Sequence, residues 1–265
     1  MDIDKAIRFV RIKGDRFEQA RLQHTLGEKF DAEEVLSGFC AIQNPDGGFP
    51  YGDKKGFPSC LSNTTMALTT LIEMGLADSE PANRGITFLL GMRRENGTWE
   101  ENPKITPLDP PFWDMPGDDD TTLWLTAATT DILLRSGRPV PDITLNYLRA
   151  KQGKDGRFAG FYHTTWIALS IFGKNGTHDR RITSLALAYL ESADIEDWDC
   201  SCIAWCLESM KNGGVKKSSD LWNKLFDRLS ETQEEDGSWT SEGGEELKIR
   251  DTNSVLAAVM DIIHK

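Results

Sequence analysis

The sequence lacks the long apolar runs that cross a bilayer and the basic runs that bind a nucleic-acid backbone. No apolar stretch in its 265 residues approaches the roughly 20 residues that a transmembrane helix needs. No run of Lys and Arg is longer than two, and the formal net charge is −12. Because binding to nucleic acid depends on neutralising phosphates with cations, we expect no nucleic-acid partner. Because no apolar run is long enough, we also expect no transmembrane segment.

Cysteine is also scarce, and its five copies are an odd number. A disulfide framework is therefore not expected. The first ten residues, MDIDKAIRFV, lack the basic and then apolar pattern of a secretory signal. We predict a reducing, cytoplasmic location. The sequence contains no phosphate-binding glycine loop, so no nucleotide cofactor is expected.

One turn pattern, Q-x-x-x-G-x-(F/W), recurs along the chain. Clear copies begin at Gln43, Gln152 and Gln233, and a fourth has Arg93 in the glutamine position. A degenerate copy at 192–198 keeps only the aromatic residue and divides the longest interval roughly in half. Recurrence at such a period indicates a repeat architecture.

The segments between these turns are of two kinds. One kind is small and apolar on nearly every face and begins with Asp, Ser, Asn or Thr, which cap helix N termini. The other kind has apolar residues at i, i+3 and i+4, which is typical of helices that cover a core. We predict inner helices that start near residues 16, 62, 118, 162, 199 and 251, each with an outer partner.

Six inner and six outer helices with no strand between them favour a closed double ring, an α6/α6 barrel. Each inner helix then has two inner neighbours and an outer cover. We predict an all-α fold with one domain over residues 1–265. The inner helices would run parallel, so their N termini would share one rim. This rim would gather Asn63, Asp118, Asp119, Asp120, His163, Asp199, Cys200, Cys202 and Asp251.

The turn repeat between paired helices resembles that of the prenyltransferase and squalene–hopene cyclase repeat superfamily over nearly the whole chain. The resemblance implies an α–α toroid and an isoprenoid or other apolar small molecule as ligand. Cyclases of this superfamily hold their substrate between two barrels, and its prenyltransferases pair one barrel with another subunit. The resemblance therefore also implies a homodimer or a second helical-barrel subunit as partner.

The run PGDDDTT at 116–122 has two interpretations. As the cap and first turn of a helix, its three carboxylates complement the helix dipole. The run also resembles the Asp-x-Asp-Asp-Thr-Ala motif of class II terpene cyclases, although Gly117 takes the first Asp position and Thr122 replaces Ala.

The resemblance to the cyclases implies that Asp119 donates a proton to an alkene or epoxide. Asp118 and Asp120 would raise the pKa of Asp119, because like charges disfavour the ionised form. His163, one repeat further on, would hydrogen-bond to this cluster. The adjacent connection 100–117 has five prolines and is predicted to be a lid without regular structure.

Aromatic residues near the same rim are candidates for substrate binding. Trp113 belongs to the predicted lid, and three tryptophans belong to inner helices: Trp124, Trp166 and Trp205. Their π faces could stabilise a carbocation. Filling of the core is the alternative interpretation.

Two further hypotheses stay open. FYHTTW and DCSCIAW loosely resemble the zinc-binding segments of protein prenyltransferases, which implies zinc ligation by His163, Asp199 and Cys202. The barrel could also be a non-catalytic lipid-binding or protein-interaction module. The leading hypothesis is a class II cyclase-like enzyme that requires no cofactor, and zinc is the alternative.

Overall fold

The computed structural model describes residues 1–173, 179–241 and 243–263. These residues form twelve α-helices, as follows: α1 Ile3–Lys13, α2 Arg16–Thr25, α3 Ala32–Ile42, α4 Leu61–Glu73, α5 Glu80–Gly91, α6 Asp119–Arg135, α7 Asp142–Ala150, α8 Tyr162–Phe172, α9 Arg180–Ser192, α10 Cys200–Asn212, α11 Asp220–Thr232 and α12 Glu245–Ile263. An antiparallel pair of two-residue strands, β1 Phe49–Pro50 and β2 Ser59–Cys60, lies between α3 and α4. This small pair is a departure from the purely helical prediction.

The even-numbered helices form the inner ring. Helix α12 packs between α2 and α10, and α8 and α6 continue the ring to α4. The odd-numbered helices cover them, for example α9 on α8 and α7 on α6. The predicted α6/α6 arrangement is therefore confirmed. Among the described residues, no helix combines the length and the apolar character that crossing a membrane requires.

Five of the six inner helices start within one residue of their predicted positions. The prediction was wrong for α12, which starts at Glu245 rather than near residue 251. Its first turn is held by Lys248, whose ammonium lies 2.8 Å from a Glu234 carboxylate oxygen in the preceding turn. Asp251 is therefore a buried residue inside the helix rather than its cap.

The repeat glutamines join each outer helix to the next. The Gln152 amide donates to the carbonyl of Gly156 in its own turn (3.1 Å) and to that of Ile182 at the start of α9 (2.9 Å). Gln43 makes the same pair of bonds within its turn and to α5. Gln233 exchanges hydrogen bonds with the backbone of Asp2 at 2.6 and 2.9 Å, which closes the outer ring from α11 to α1.

The repeat glycines permit these close contacts. Gly156 has φ +95°, and an added Cβ would lie 2.0 Å from the Leu185 carbonyl oxygen on α9. In two turns the aromatic residue is Trp, and its indole joins the turn to the outer helix that precedes it. The indole N–H groups of Trp99 and Trp239 donate to the carbonyls of Leu89 and Leu229 at 2.6 and 2.8 Å.

Gly156→Ala is expected to destabilise the toroid far more than Gly137→Ala. Both glycines have positive φ, but the space beside Gly137 is open. At Gly137 the substitution should lower the free energy of unfolding by about 1–2 kcal/mol, because alanine disfavours the left-handed conformation. At Gly156 the clash with Leu185 should lower it by about 1–3 kcal/mol more. Urea unfolding measures both values. Equal losses of unfolding free energy in the two variants would show that the close approach of the turn to α9 does not constrain the ring.

Candidate functional site

The N termini of the inner helices share one rim, and carboxylates cap four of them, beginning with Asp15 at the start of α2. The Thr121 N–H donates to Asp118 (2.8 Å), and the Cys202 N–H donates to Asp199 (2.9 Å). Glu101, which is buried, accepts the N–H groups of Leu61 and Ser62 at 2.8 and 2.9 Å at the start of α4. Asp118 therefore has the cap role that the sequence offered as one interpretation.

The other two members of the acid triplet point in different directions. Asp119 and Asp120 are both exposed, but they are separated by about 100° around the helix axis. Tyr147 on the outer helix α7 has a raised pKa, first through burial and then through the charge of Asp119, so Asp119 lies towards the outer layer. Asp120 is eleven residues, or about three turns, before Asp131 and shares its face of α6.

Asp131 belongs to a charged cluster that closes the lumen of the toroid. Ser170 of α8 donates a hydrogen bond to Asp131, and the Arg135 guanidinium lies 3.6 Å from the Asp131 carboxylate. Arg135 also donates to Glu208 of α10 at 3.0 Å. The Glu208 carboxylate in turn hydrogen-bonds to Glu73 of α4, on the opposite side of the ring. We call these five side chains the floor.

The floor holds one proton between two carboxyl groups. Burial raises the pKa of Glu73 well above its ordinary value, and the neighbouring Glu208 carboxylate adds to this. Burial is the largest influence on Glu208 and opposes its ionisation, but the charge of Arg135 together with the hydrogen bond from Glu73 and the nearby Lys211 and Asn212 outweighs it, so the pKa of Glu208 is lowered. Glu73 is therefore the protonated partner, and its hydroxyl donates to Glu208.

A mostly aromatic layer lies two helical turns from the floor towards the rim. Met66, Trp124 and His163 are each seven residues before a floor residue on the same helix face. The His163 ring lies 4.8 Å from Trp166 and 5.2 Å from Trp205. Met66 is 51% exposed although its helix is in the inner ring, so open space adjoins this layer.

His163 is neutral at physiological pH. Burial lowers its pKa to about 4, although the nearby Asp199 carboxylate acts in the opposite direction. A neutral imidazole can accept a hydrogen bond or ligate a metal, but it cannot stabilise the acid triplet as a cation. Trp166 is buried, and its indole N–H has no hydrogen-bond partner in the described part of the chain.

The connection between α5 and α6 is structured, contrary to the prediction. It contains two 3-10 helices, Pro103–Leu108 and Phe112–Asp114. The Thr121 hydroxyl donates to the Phe112 carbonyl at 3.2 Å, which ties the second of these to α6. Trp113 is 51% exposed and packs edge-on against Phe112, with ring centroids 4.9 Å apart.

Asp114, at the end of this second 3-10 helix, is a site residue that the sequence analysis missed. It is half-buried, and Ser62 at the start of α4 is near enough to its carboxyl to affect its pKa. Burial first, and then the charge of Glu101, raise the pKa of Asp114 to about 6, while Ser62 acts in the opposite direction. The motif pattern gave no signal for it, because it lies outside the acid triplet.

The predicted zinc ligands do not form one compact group in the described residues. The three side chains whose ligand atoms lie within 4.8 Å of one another are Asp199, Cys200 and Asp251. Burial raises the pKa of the Cys200 thiol, so this thiol keeps its proton in the metal-free protein. Zinc ligation by His163 and Cys202 stays a prediction.

No protein-family model matches the chain. A squalene–hopene cyclase from Schizosaccharomyces japonicus is 29% identical over 187 residues, which cover 62% of this chain and 28% of that protein. The matched part of this chain thus spans little more than a quarter of the curated relative.

The structure is similar to solved terpene cyclases. Type II terpene cyclase MstE from Scytonema, in its apo form, has a TM-score of 0.64 at 16% identity, covering 98% of this chain and 97% of that one. A variant of MstE in complex with geranylgeranyl dihydroxybenzoate, its substrate, has a TM-score of 0.66 at 16% identity over 97% and 95% of the two chains.

The fold and the layered lumen therefore define a terpenoid cyclase-like toroid. The chain is similar to squalene–hopene cyclase in sequence and has the fold of type II terpene cyclase MstE. The superfamily resemblance predicted from the turn repeat is confirmed.

Replacing Glu73 by Gln is expected to remove an alkaline loss of stability. The pKa of Glu73 is raised, so its contribution is present at low pH and is lost as pH rises through that pKa. Ionised Glu73 would leave two buried carboxylates without a shared proton, a cost on the order of 1–3 kcal/mol. Glu73→Gln should then unfold at a higher temperature than the wild type in alkaline buffer.

The matched control is Glu95→Gln, which changes an exposed glutamate in a repeat turn. Its melting temperature should follow that of the wild type from acid to alkaline pH. If the Glu73→Gln and wild-type curves also stay parallel, Glu73 does not hold a proton in the floor.

Proposed function

We propose that the lumen binds an isoprenoid and that the protein cyclises it after protonation by an aspartate at the rim. The observation that supports this proposal is the layering of the lumen. Carboxyl groups lie at the open rim, aromatic rings lie below them, and the charged floor closes the far end. An apolar chain entering from the rim would meet a proton source first and the π faces of the tryptophans next.

This order suits a reaction that begins by protonation. The aromatic layer contains Trp124, Trp166 and Trp205, whose π faces attract a cation. The floor carries carboxylates that are already paired with Arg135, so it presents no free anion to trap the cation. Protonation of an alkene requires neither a metal nor a nucleotide, and the proposed reaction therefore has no cofactor.

The resemblance to the cyclase motif makes Asp119 the proposed proton donor. Asp118 supports it as the helix cap, and Asp120 is the triplet member on the lumen-facing side of α6. His163 contacts the tryptophans and contributes to the substrate layer. Separate substitution of Asp119 and Asp120 tests whether the proton donor is the residue at the motif position or the residue on the lumen-facing side of α6.

Incubation with linear polyprenyl substrates, including geranylgeranyl dihydroxybenzoate, should yield cyclic products detectable by mass spectrometry. A general acid contributes about 10²–10⁴ in rate, so Asp119→Asn should lower product formation by that factor while substrate affinity stays nearly unchanged. Asp142→Asn, in the exposed first turn of the outer helix α7, is the matched control and should retain full activity.

Two results together would contradict the cyclase proposal. Wild type and Asp119→Asn would be equally inert across chain lengths, and no isoprenoid would protect the protein against heating. Protection without turnover would instead favour the non-catalytic lipid-binding alternative.

The zinc-dependent alternative has one supporting observation, the approach of Asp199, Cys200 and Asp251 to within 4.8 Å. Two carboxylates and a thiolate are a plausible zinc donor set. Under this alternative, elemental analysis of protein purified without chelators should find about one zinc per chain, and Cys200→Ser should lower that value more than Cys202→Ser. Less than a tenth of one zinc per chain in folded protein would contradict it.

We propose that residues 1–265 form one toroid domain that acts with a homodimer partner or a second helical barrel. The support is the relative's length, because the matched part of this chain covers only 28% of that squalene–hopene cyclase. A cytoplasmic location stays part of this proposal.

A further inference from the structure

We infer that Met66, on the lumen face of α4, limits the length of the apolar chain that the lumen accepts. The inference rests on the proposed function and adds the chain length of the isoprenoid to it. Three observations support it, namely the direction of the Met66 side chain, the smaller side chains between Met66 and the floor, and the fixed packing of the other residues in its layer.

The Met66 side chain points into the lumen. On the same helix, Leu68 is fully buried against the outer layer, where a Cβ added at Gly85 of α5 would lie 3.0 Å from it. Met66 is two residues before Leu68, so the two side chains are about 160° apart around the helix axis. Met66 therefore shares the lumen face of α4 with the floor residue Glu73. The 51% of Met66 that is exposed borders the open space inside the ring.

Smaller side chains follow Met66 towards the floor. Thr70 is four residues after Met66 and three before Glu73, so it lies about one turn above the floor on the same face. Ala128 has the corresponding place on α6, four residues after Trp124. The Thr70 hydroxyl donates to the Met66 carbonyl at 3.2 Å, so its proton is already used within the helix. On these two helices the lumen is therefore lined by smaller side chains just above the floor than two turns above it.

Trp205 faces this lower level from the opposite side of the ring. Glu73 of α4 and Glu208 of α10 hydrogen-bond to each other across the lumen. Trp205 is three residues, or about one turn, before Glu208 and is only partly buried. An apolar chain that passes Met66 would therefore lie between Thr70 on one side and the indole of Trp205 on the other. It could go no further, because the charged floor offers no apolar contact.

The other side chains in the layer of Met66 are held in place. The His163 ring packs against Trp166 and Trp205, with centroids 4.8 and 5.2 Å away, and Trp124 is 9% exposed. Met66 is more than half exposed, so few neighbours restrict its side chain. A methionine side chain has three rotatable bonds and adapts its shape to what it contacts. Met66 is thus the adjustable member of the layer.

The size of the side chain at position 66 therefore controls access to the space just above the floor. A chain that enters from the rim meets Met66 about two turns before the floor. Alanine at this position would remove the thioether and open the way to Thr70, whereas tryptophan would fill it. A hydrophobic pocket distinguishes chains that differ by a single methylene by about 10-fold or more, so one isoprene unit is enough to detect the change.

The experiment measures the Kd of dihydroxybenzoates that carry farnesyl, geranylgeranyl and geranylfarnesyl chains. Relative to the wild type, Met66→Ala should bind the longest chain at least ~10-fold more tightly and Met66→Trp at least ~10-fold more weakly, while the Kd of the farnesyl compound changes little. The matched control is Leu90→Ala, which removes a 40% exposed apolar side chain from the outer helix α5 and should keep the wild-type order of affinities. Because Met66 lies outside the packed core, all variants should melt near the wild-type temperature without ligand.

A second measurement observes Met66 directly. The chain has seven methionines, and in carbon-13 NMR of methyl-labelled methionine the Met66 resonance is the one that Met66→Ala lacks. Geranylgeranyl dihydroxybenzoate should shift this resonance, whereas those of Met74 and Met210, which are 4% and 0% exposed, should move much less. If a ligand that binds leaves the Met66 resonance unchanged, the inference is overturned.

Linear n-alkanols of graded length separate this inference from the proposed function. If isoprenoids bind and are cyclised but the Met66 variants keep the wild-type length preference, the inference fails while the proposed function stands. If n-alkanols bind and isoprenoids do not, and the Met66 variants shift the preferred alkanol length, the isoprenoid proposal is contradicted while the role of Met66 is supported. If the wild type binds neither kind of chain, both are overturned.

Discussion

The hydrogen bonds from the repeat glutamines to the next outer helix set the spacing of the whole ring. Each amide bonds to a carbonyl of its own turn and to one at the start of the following outer helix, as Gln152 does with Gly156 and Ile182. The turn glycine then lies against that helix so closely that no Cβ fits. The Gln233 amide donates the corresponding hydrogen bond to the Asp2 carbonyl, and so the last turn is joined to the first helix. Because these contacts fix each outer helix relative to its neighbour, they also fix the inner helices that the outer ones cover.

The parallel inner helices place side chains of different chemistry at different depths of the lumen. All inner helices begin at one rim, so residues at equal distances from their starts form layers across the lumen. On α4, Ser62 at the rim and Glu73 in the floor are separated by about 16 Å at 1.5 Å per residue. The apolar, aromatic part of the lumen is confined to this interval, since the floor places charged groups across the ring. A bound prenyl chain would therefore have to fold within the upper part of the barrel.

Local signals in the sequence predicted the helices well, because each depends on its own cap and its own apolar periodicity. Asp118 and Asp199 cap helices where the sequence placed them. The start of α12 was missed because the Lys248–Glu234 pair joins two elements and leaves no mark in a local pattern. The floor was missed for the same reason, since Glu73 and Glu208 meet only when the ring closes. By contrast, the seven-residue spacing of Trp124 and Asp131 was present in the sequence and could have placed both on one helix face.

The site also shows why an acidic motif and an acid that holds its proton need not be the same residues. Carboxylates gather at helix N termini because the free N–H groups and the dipole stabilise their charge, and the same stabilisation opposes protonation. A residue that must stay protonated is better placed where burial opposes its charge. At the start of α4, Glu101 accepts the N–H groups of Leu61 and Ser62, yet burial still raises its pKa, and burial is also the main cause of the raised pKa of Asp114. At this rim, burial therefore outweighs the helix N terminus at Glu101 and Asp114, whereas Asp119 and Asp120 are exposed and lack that effect.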